Sequence, residues 1–315
     1  MKKQNKYLKN IDRIEFPVTY ACTGNCAHCS VGDSSLHPSG TLAPDEAASV
    51  VFDVCSQNDV SSVMTFGGEP LLFPEITAAI HSAASQCAVK KRQLITNGFF
   101  SREKSRISEV VALLCDSGVN DLLLSVDAFH QETIPLEPVI FFAREASRCM
   151  PVRLSPSWVV GRGYSNAYNE RTREIVSIFE KLGIPERYGN DIFLSGRAEK
   201  NLACYYPECH ADLNEKCGSQ PYTMPLDSVS EISVEPNGDV SFCSFCVGNI
   251  RRTPILDILE GYDPYASPAT AALLSGGVSA LLEYAHSLGR PELDSIVPEN
   301  HRTACSICRA IASLL

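Results

Sequence analysis

Cys22, Cys26 and Cys29 follow one another with the spacing C-x3-C-x2-C inside residues 20–31. Three thiolates this close in one short loop suit a single soft metal centre. A structural zinc site closes with four ligands, so a zinc knuckle here would have to borrow one from elsewhere in the chain. Cysteine thiolates are also the usual ligands of iron–sulfur clusters, and a cubane held by three of them leaves one iron open to a small molecule. The loop therefore reads as a cluster site with one free coordination position, or as an incomplete zinc site.

Other groups with chemical potential come at intervals behind it. In Gly67-Gly68-Glu69-Pro70 the two glycines let the backbone approach a ligand, and carbonyls or the Glu69 carboxylate can accept from an amino group. An ordinary strand-to-helix turn is the alternative. Thr96-Asn97-Gly98 is first of all a turn, yet Asn97 at a strand end can also make a polar contact. Ser125 and Asp127 alternate around Val126 and so share one side of a strand. Asp127 can accept from hydroxyl groups, or it can cap the next helix. His28 is either a solvated loop residue or an aromatic contact. Ser155, Ser157, Arg162 and the Phe129-His130-Gln131 group are further candidates facing a substrate or solvent.

Elements must hold these groups in register. Residues 13–20 alternate as a strand that delivers the cysteine loop. A helix with proline in its first turn spans 41–56, then a buried strand 61–66 ends at Gly67. Helix 74–86 leads to strand 92–96, helix 101–116 to strand 121–126, helix 136–148 to strand 152–160, and helix 168–182 to a sixth strand, 191–195. Such alternation predicts a parallel sheet with right-handed crossovers. Every strand is followed directly by a polar or glycine-rich group, at the end where barrel-type enzymes carry their chemistry.

The chain of 315 residues, 44% of them hydrophobic, can bury a large core. A formal charge of −10 excludes general attraction to nucleic acid or anionic membrane, and the only basic stretch, within residues 2–9, is a short tail. No apolar run is long enough for a membrane helix and no signal core follows Met1, so the expected location is the cytoplasm. There, 14 cysteines argue for metal binding over a disulfide framework. Cys55, Cys87, Cys115 and Cys149, each near the end of an amphipathic segment, are expected as small buried hydrophobes. From about residue 201 the rhythm stops and Cys204, Cys209, Cys217, Cys243, Cys246, Cys305 and Cys308 concentrate. Residues 232–243 read as two short strands around Asn237-Gly238, and 266–284 as a helix broken at Gly276-Gly277.

The cysteine loop and Gly67-Gly68-Glu69-Pro70 resemble the signature segments of the radical S-adenosylmethionine family over residues 13 to about 197. That resemblance implies an α/β fold, a partial (β/α)6 TIM-like barrel over residues 13–200 behind a tail of residues 1–12. It implies a 4Fe–4S cluster on Cys22, Cys26 and Cys29 whose open iron takes S-adenosylmethionine, and reductive cleavage to a 5′-deoxyadenosyl radical. By it, residues 67–70 serve the methionine amine, His28 the adenine, Asn97 a polar contact, and Ser125 and Asp127 the ribose or carboxylate. The reductant would be a flavodoxin or ferredoxin.

Residues 201–315 resemble the cysteine-rich SPASM or shorter twitch extension, with Gly238-x4-Cys243 matching its hairpin. This implies at least one auxiliary 4Fe–4S cluster drawn from Cys217, Cys243, Cys246, Cys305 and Cys308. The departures are that 20 residues separate Cys217 from Gly238 and that the middle C-x2-C-x5-C-x3-C run is missing. A zinc ribbon from the two C-x2-C pairs is the alternative. Cys204 and Cys209 would complete a second cluster, donate hydrogen to a substrate radical, or do neither. The combination implies hydrogen abstraction from a peptide or protein, although a strand starting about 13 residues after Met1 leaves no room ahead of it for a leader-binding domain. Radical chemistry on a small metabolite and a non-catalytic iron–sulfur or zinc protein are the competing functions.

Overall fold

The computed structural model describes residues 5–32, 37–187, 191–219 and 223–315. They fall into two compact units, one of Ile14–Tyr206 with Glu235–Asn237, the other of Met1–Arg13, Pro207–Val234 and Gly238–Leu315. The first four residues of the basic tail lie outside the described residues.

The first strand, β1 (Leu8–Thr19), begins five residues ahead of the alternation read from Arg13. Residues 8–12 are therefore strand and not tail: Ile11 is buried, and the Tyr7 carbonyl beside it accepts from the Val229 amide at 2.9 Å. Behind β1 come α1 (Pro44–Cys55), β2 (Ser62–Gly67), α2 (Pro74–Gln86), β3 (Lys91–Thr96), α3 (Lys104–Asp116), β4 (Asp121–Leu124), α4 (Ala128–Gln131), α5 (Leu136–Ala146), β5 (Val152–Leu154), α6 (Ala167–Glu180) and α7 (Arg197–Asn201). The strands lie in the order β5-β4-β3-β2-β1. β2, β3, β4 and β5 pair in parallel, with Thr65 opposite Leu94, Thr96 opposite Leu124 and Leu124 opposite Leu154.

Parallel strands covered by crossover helices read as continuous apolar runs. Leu122, Leu123 and Leu124 fit that rule, all fully buried. Ile107, Val110, Val111 and Leu114 form one stripe of α3 at helical spacing and pack with Val139, Phe142 and Ala143 of α5 in a single core. The expected fifth strand is cut to three residues; of the sixth, 191–195, Asp191 forms an isolated parallel bridge with Trp158, and a second isolated bridge, Leu154 with Glu186, lies ahead of it. Residues 188–190, just ahead of it, lie outside the described residues.

The helix-end cysteines differ from expectation. Cys115 and Cys149 are joined as a disulfide, and Cys55 and Cys87 are only half-buried. Each stands in the last turn of its helix or within three residues of its end.

In the other unit β6 (Val229–Val234), β7 (Asp239–Phe242) and β8 (Phe245–Asn249) form an antiparallel meander, with the expected Asn237-Gly238 turn between the first two. β8 escapes sequence reading because Gly248 interrupts it; that glycine is needed where a Cβ would press on Ile258 of α8 (Ile255–Glu260). α9 (Pro268–Ser287) carries the expected break, with Gly277 at φ 71°. α10 (Pro291–Asp294) and α11 (Ala304–Ala312) follow. No described helix is long and apolar enough to cross a membrane.

His81 of α2 is fully buried with Nε2 2.8 Å from Thr65 Oγ1 on β2. Burial, and then the charge of Arg92, push its imidazole down to about 3. Between pH 3 and 6.5 the unfolded chain therefore holds the extra proton, so stability is complete above pH 6.5 and falls as pH is lowered. Urea unfolding at pH 7 and pH 5 should show the wild type losing about 2 kcal/mol relative to a His81→Gln variant, which keeps a polar partner for Thr65 but does not titrate.

Candidate active site and a second cysteine centre

The cysteine loop leaves the end of β1 and is pinned from below by the turn after β2. The Gly68 amide donates to the Thr19 carbonyl at 2.7 Å and the Glu69 amide to the Ala21 carbonyl at 2.8 Å. A Cβ on Gly67 would overlap the Thr19 carbonyl and one on Gly68 the Ala21 carbonyl. Both glycines are thus required by the close passage of the loop's own backbone.

Glu69 is fully buried. Its Oε1 accepts from the Leu71 amide at 2.9 Å and from Thr96 Oγ1 at 2.6 Å, and Oε2 accepts from the Asn97 amide at 2.8 Å. Burial lifts this carboxyl to about 7 against the pull of those three donors. One lone pair on Oε2 is left for a further donor. Asn97 braces the loop: its Nδ2 donates to Thr23 Oγ1 at 3.2 Å and lies 3.6 Å from Cys22 Sγ, while Oδ1 accepts from the Phe99 amide.

From the far side α7 clamps the same loop. The Arg197 amide donates to the Cys29 carbonyl at 2.9 Å, Asn201 Nδ2 donates to the Ala27 carbonyl at 3.0 Å, and the Arg197 guanidinium bonds Asn25 Oδ1. The Asn25 amide donates to Thr133 Oγ1. Sequence reading missed Asn201 and Thr133 as parts of the site, and Arg197 was signalled there only as part of the polar or glycine-rich group that follows the sixth strand.

Cys22 is exposed, Cys29 half-buried and Cys26 buried. Burial raises the thiols of Cys22 and Cys26, and each is raised further by neighbouring loop cysteines. Three soft sulfurs close enough to feel one another's charge fit an iron–sulfur cluster.

His28 packs its ring 4.8 Å from Phe129 and 4.9 Å from His130. Burial pushes its imidazole down to about 4. Asp127 takes the capping alternative: Oδ1 accepts from the His130 amide at 3.0 Å and faces His130 Nδ1 at 2.8 Å, and Oδ2 accepts from the Ser157 amide at 3.0 Å. Burial works to raise that carboxyl, but His130 and then His28 outweigh it and hold it well below the usual carboxylate range. Ser125 stands half-buried past the end of β4, its amide donated to the Thr96 carbonyl. Ser155 is buried, and Arg162 is paired with Glu186 at 2.9 Å. Cys204 is exposed beside Tyr168 and Tyr205.

In the other unit Cys217, Cys243, Cys305 and Cys308 line one pocket, with Phe245 and Leu273 among its apolar walls. Cys243 sits in the β7–β8 turn at φ 54°. Cys305 and Cys308, one turn apart, share a face of α11, which Thr303 caps through the Ser306 amide. Burial, followed by the charge of Cys243, pushes the Cys305 thiol up to about 11 and raises Cys308 as well. Cys246, expected among these ligands, is exposed outside the pocket with its thiol on the Gly248 carbonyl at 3.4 Å. Cys209 is exposed, 3.7 Å from the Arg302 carbonyl.

Among curated proteins the chain is similar to a GTP 3',8-cyclase of Chlorobaculum tepidum, 24% identical over 260 residues, 77% of this chain and 76% of that protein. It is also similar to a GTP 3',8-cyclase of Microcystis aeruginosa, 25% identical over 129 residues, 40% of this chain and 37% of that one. An AdoMet-dependent heme synthase of Methanosarcina barkeri is 31% identical over 120 residues, 38% of this chain and 32% of that one. The chain thus spans about a third of the length of these last two relatives. Among solved structures, SuiB of Streptococcus suis bound to precursor peptide SuiA shares the fold, with a TM-score of 0.53 at 14% identity over 95% of this chain and 76% of that one. The model of the SPASM iron–sulfur cluster-binding domain matches residues 228–269, and that of the Radical SAM superfamily matches residues 16–185, more than half of the chain. This chain belongs to the radical SAM superfamily, with the 4Fe–4S cluster and S-adenosylmethionine that its main domain implies and the auxiliary iron–sulfur chemistry implied by its SPASM domain.

Proposed function

We propose that the chain abstracts hydrogen from a peptide or protein substrate and carries out a net oxidation of it. The observation that carries this reading is the second set of four cysteines around one apolar pocket. Oxidising a peptide after hydrogen abstraction leaves one electron to be disposed of, and four further thiolates give the protein a place to hold a redox centre for it. The fold neighbour from Streptococcus suis was solved with a precursor peptide, which supports the same substrate class.

In this reading Cys22, Cys26 and Cys29 hold the first cluster, and the chemistry supplied there is one-electron cleavage of S-adenosylmethionine to a 5′-deoxyadenosyl radical. The free lone pair of Glu69 and the backbone of Gly67, Gly68 and Pro70 take the methionine amine. His28, flanked by Phe129, takes the adenine, and Ser125 is the hydroxyl left for ribose or carboxylate. Asn97 acts on the loop, through Cys22 and Thr23. Asp127 caps the next helix through His130, accepts from Ser157 and, like Glu69, keeps one lone pair, on Oδ2, for the ribose or carboxylate.

A nucleotide substrate is the second reading, favoured by the curated cyclase that matches across 77% of this chain. The formal charge of −10 weighs against it, since a triphosphate gains no general attraction. The discriminating assay is 5′-deoxyadenosine release by oxygen-free, reconstituted and reduced enzyme given S-adenosylmethionine with either a peptide pool or GTP. Stimulation by peptide and loss of all release in Cys26→Ala is the expected result; stimulation by GTP alone would overturn the peptide reading.

The auxiliary ligand set has its own check. Serine at Cys217, Cys243, Cys305 or Cys308 should each remove about four irons from the reconstituted protein, whereas Cys246→Ser keeps the wild-type iron content.

A further inference from the structure

Beside the cluster loop three side chains converge on a different point. One donor atom from each of Cys26, His28 and His130 lies within 4.8 Å of the others. Nδ1 of His28 is sealed from solvent with no hydrogen-bond partner among the described residues. A buried nitrogen left in that state costs stability, which a bound cation would relieve. His130 commits Nδ1 to Asp127 Oδ1 at 2.8 Å. That carboxylate fixes the tautomer and leaves Nε2 as the coordinating nitrogen, the arrangement that orients metal-binding imidazoles. Asp127 is itself held by the His130 and Ser157 amides, so the second partner is rigid.

We propose that, in the cluster-free protein, Cys26, His28 and His130 bind one divalent transition-metal ion, zinc or ferrous iron, at a mononuclear site that excludes the cubane because both require Cys26. One thiolate and two imidazoles suit these ions. Around a tetrahedral ion the donors stand roughly 3.3–3.8 Å apart, so side-chain shifts of about 1 Å close the site and leave a fourth position open. Binding releases the Cys26 proton to solvent. This site shares Cys26 with the cluster loop and adds two imidazoles beside it, so zinc held there blocks cluster loading.

The test uses iron-free full-length protein carrying serine at Cys217, Cys243, Cys305 and Cys308, so that the auxiliary thiols bind no metal, kept without oxygen and titrated with cobalt(II) alone, read by its thiolate-to-cobalt absorption. The expected band has the intensity of a single sulfur. Affinity should fall about tenfold or more in His130→Gln and in His28→Phe, and stay at the wild-type value in Cys22→Ala and Cys29→Ala. Circular dichroism of the metal-free variants checks that each is folded, and either histidine variant alone suffices. A band of three sulfurs that vanishes with Cys22→Ala or Cys29→Ala and ignores both histidine variants overturns the proposal, as does an absence of binding. Neither cluster nor S-adenosylmethionine enters the assay, so its failure leaves the proposed reaction standing, and failure of the substrate assay leaves this site standing.

Discussion

The buried carboxylate of Glu69 is the interaction on which the catalytic rim depends. It joins the end of β2, the turn that follows and the end of β3 through three donors, while the backbone on either side of it grips the loop leaving β1. Taking a carboxylate out of water costs several kcal/mol, and charge-assisted hydrogen bonds return about 1.5–3 kcal/mol each. Burial outweighs those donors, which is why the carboxyl is lifted to about 7 and stands between its charged and uncharged forms at neutral pH. A carboxylate so poised fixes three strand ends to one another and still has a lone pair to offer.

Much of this was legible in the sequence, and the misses have physical reasons. The spacing of Cys22, Cys26 and Cys29, and the polar group after each strand, are local features that survive folding unchanged. Asp127 was ambiguous because a capping residue and a ligand-facing residue occupy the same register, and the capping role is read only from the partners of its two oxygens. Gly67 and Gly68 were readable as sites of close approach, but what approaches them is the protein's own loop.

The two C-x2-C pairs of the cysteine-rich unit make the limit concrete. In a helix, positions three apart share a face, and Cys305 and Cys308 both reach the pocket. Across the tight β7–β8 turn the same spacing sends the two side chains apart, and Cys246 is left outside. Spacing has meaning only once the element is known, and α11 is too short to announce itself. The Cys115–Cys149 disulfide likewise depends on which helix ends the crossovers bring side by side, 34 residues apart in the chain.

The clamp of α7 on the cysteine loop sets a timetable. Arg197 and Asn201 meet Asn25 and Ala27 across 172 and 174 residues of intervening chain. At the usual pace of synthesis, about 5–20 residues per second, the three thiols emerge roughly 10–35 s before the segment that shapes their loop. Throughout that interval they are open to whatever metal the cell offers, and the ribosome, by releasing residue 201, decides when the mature geometry becomes available.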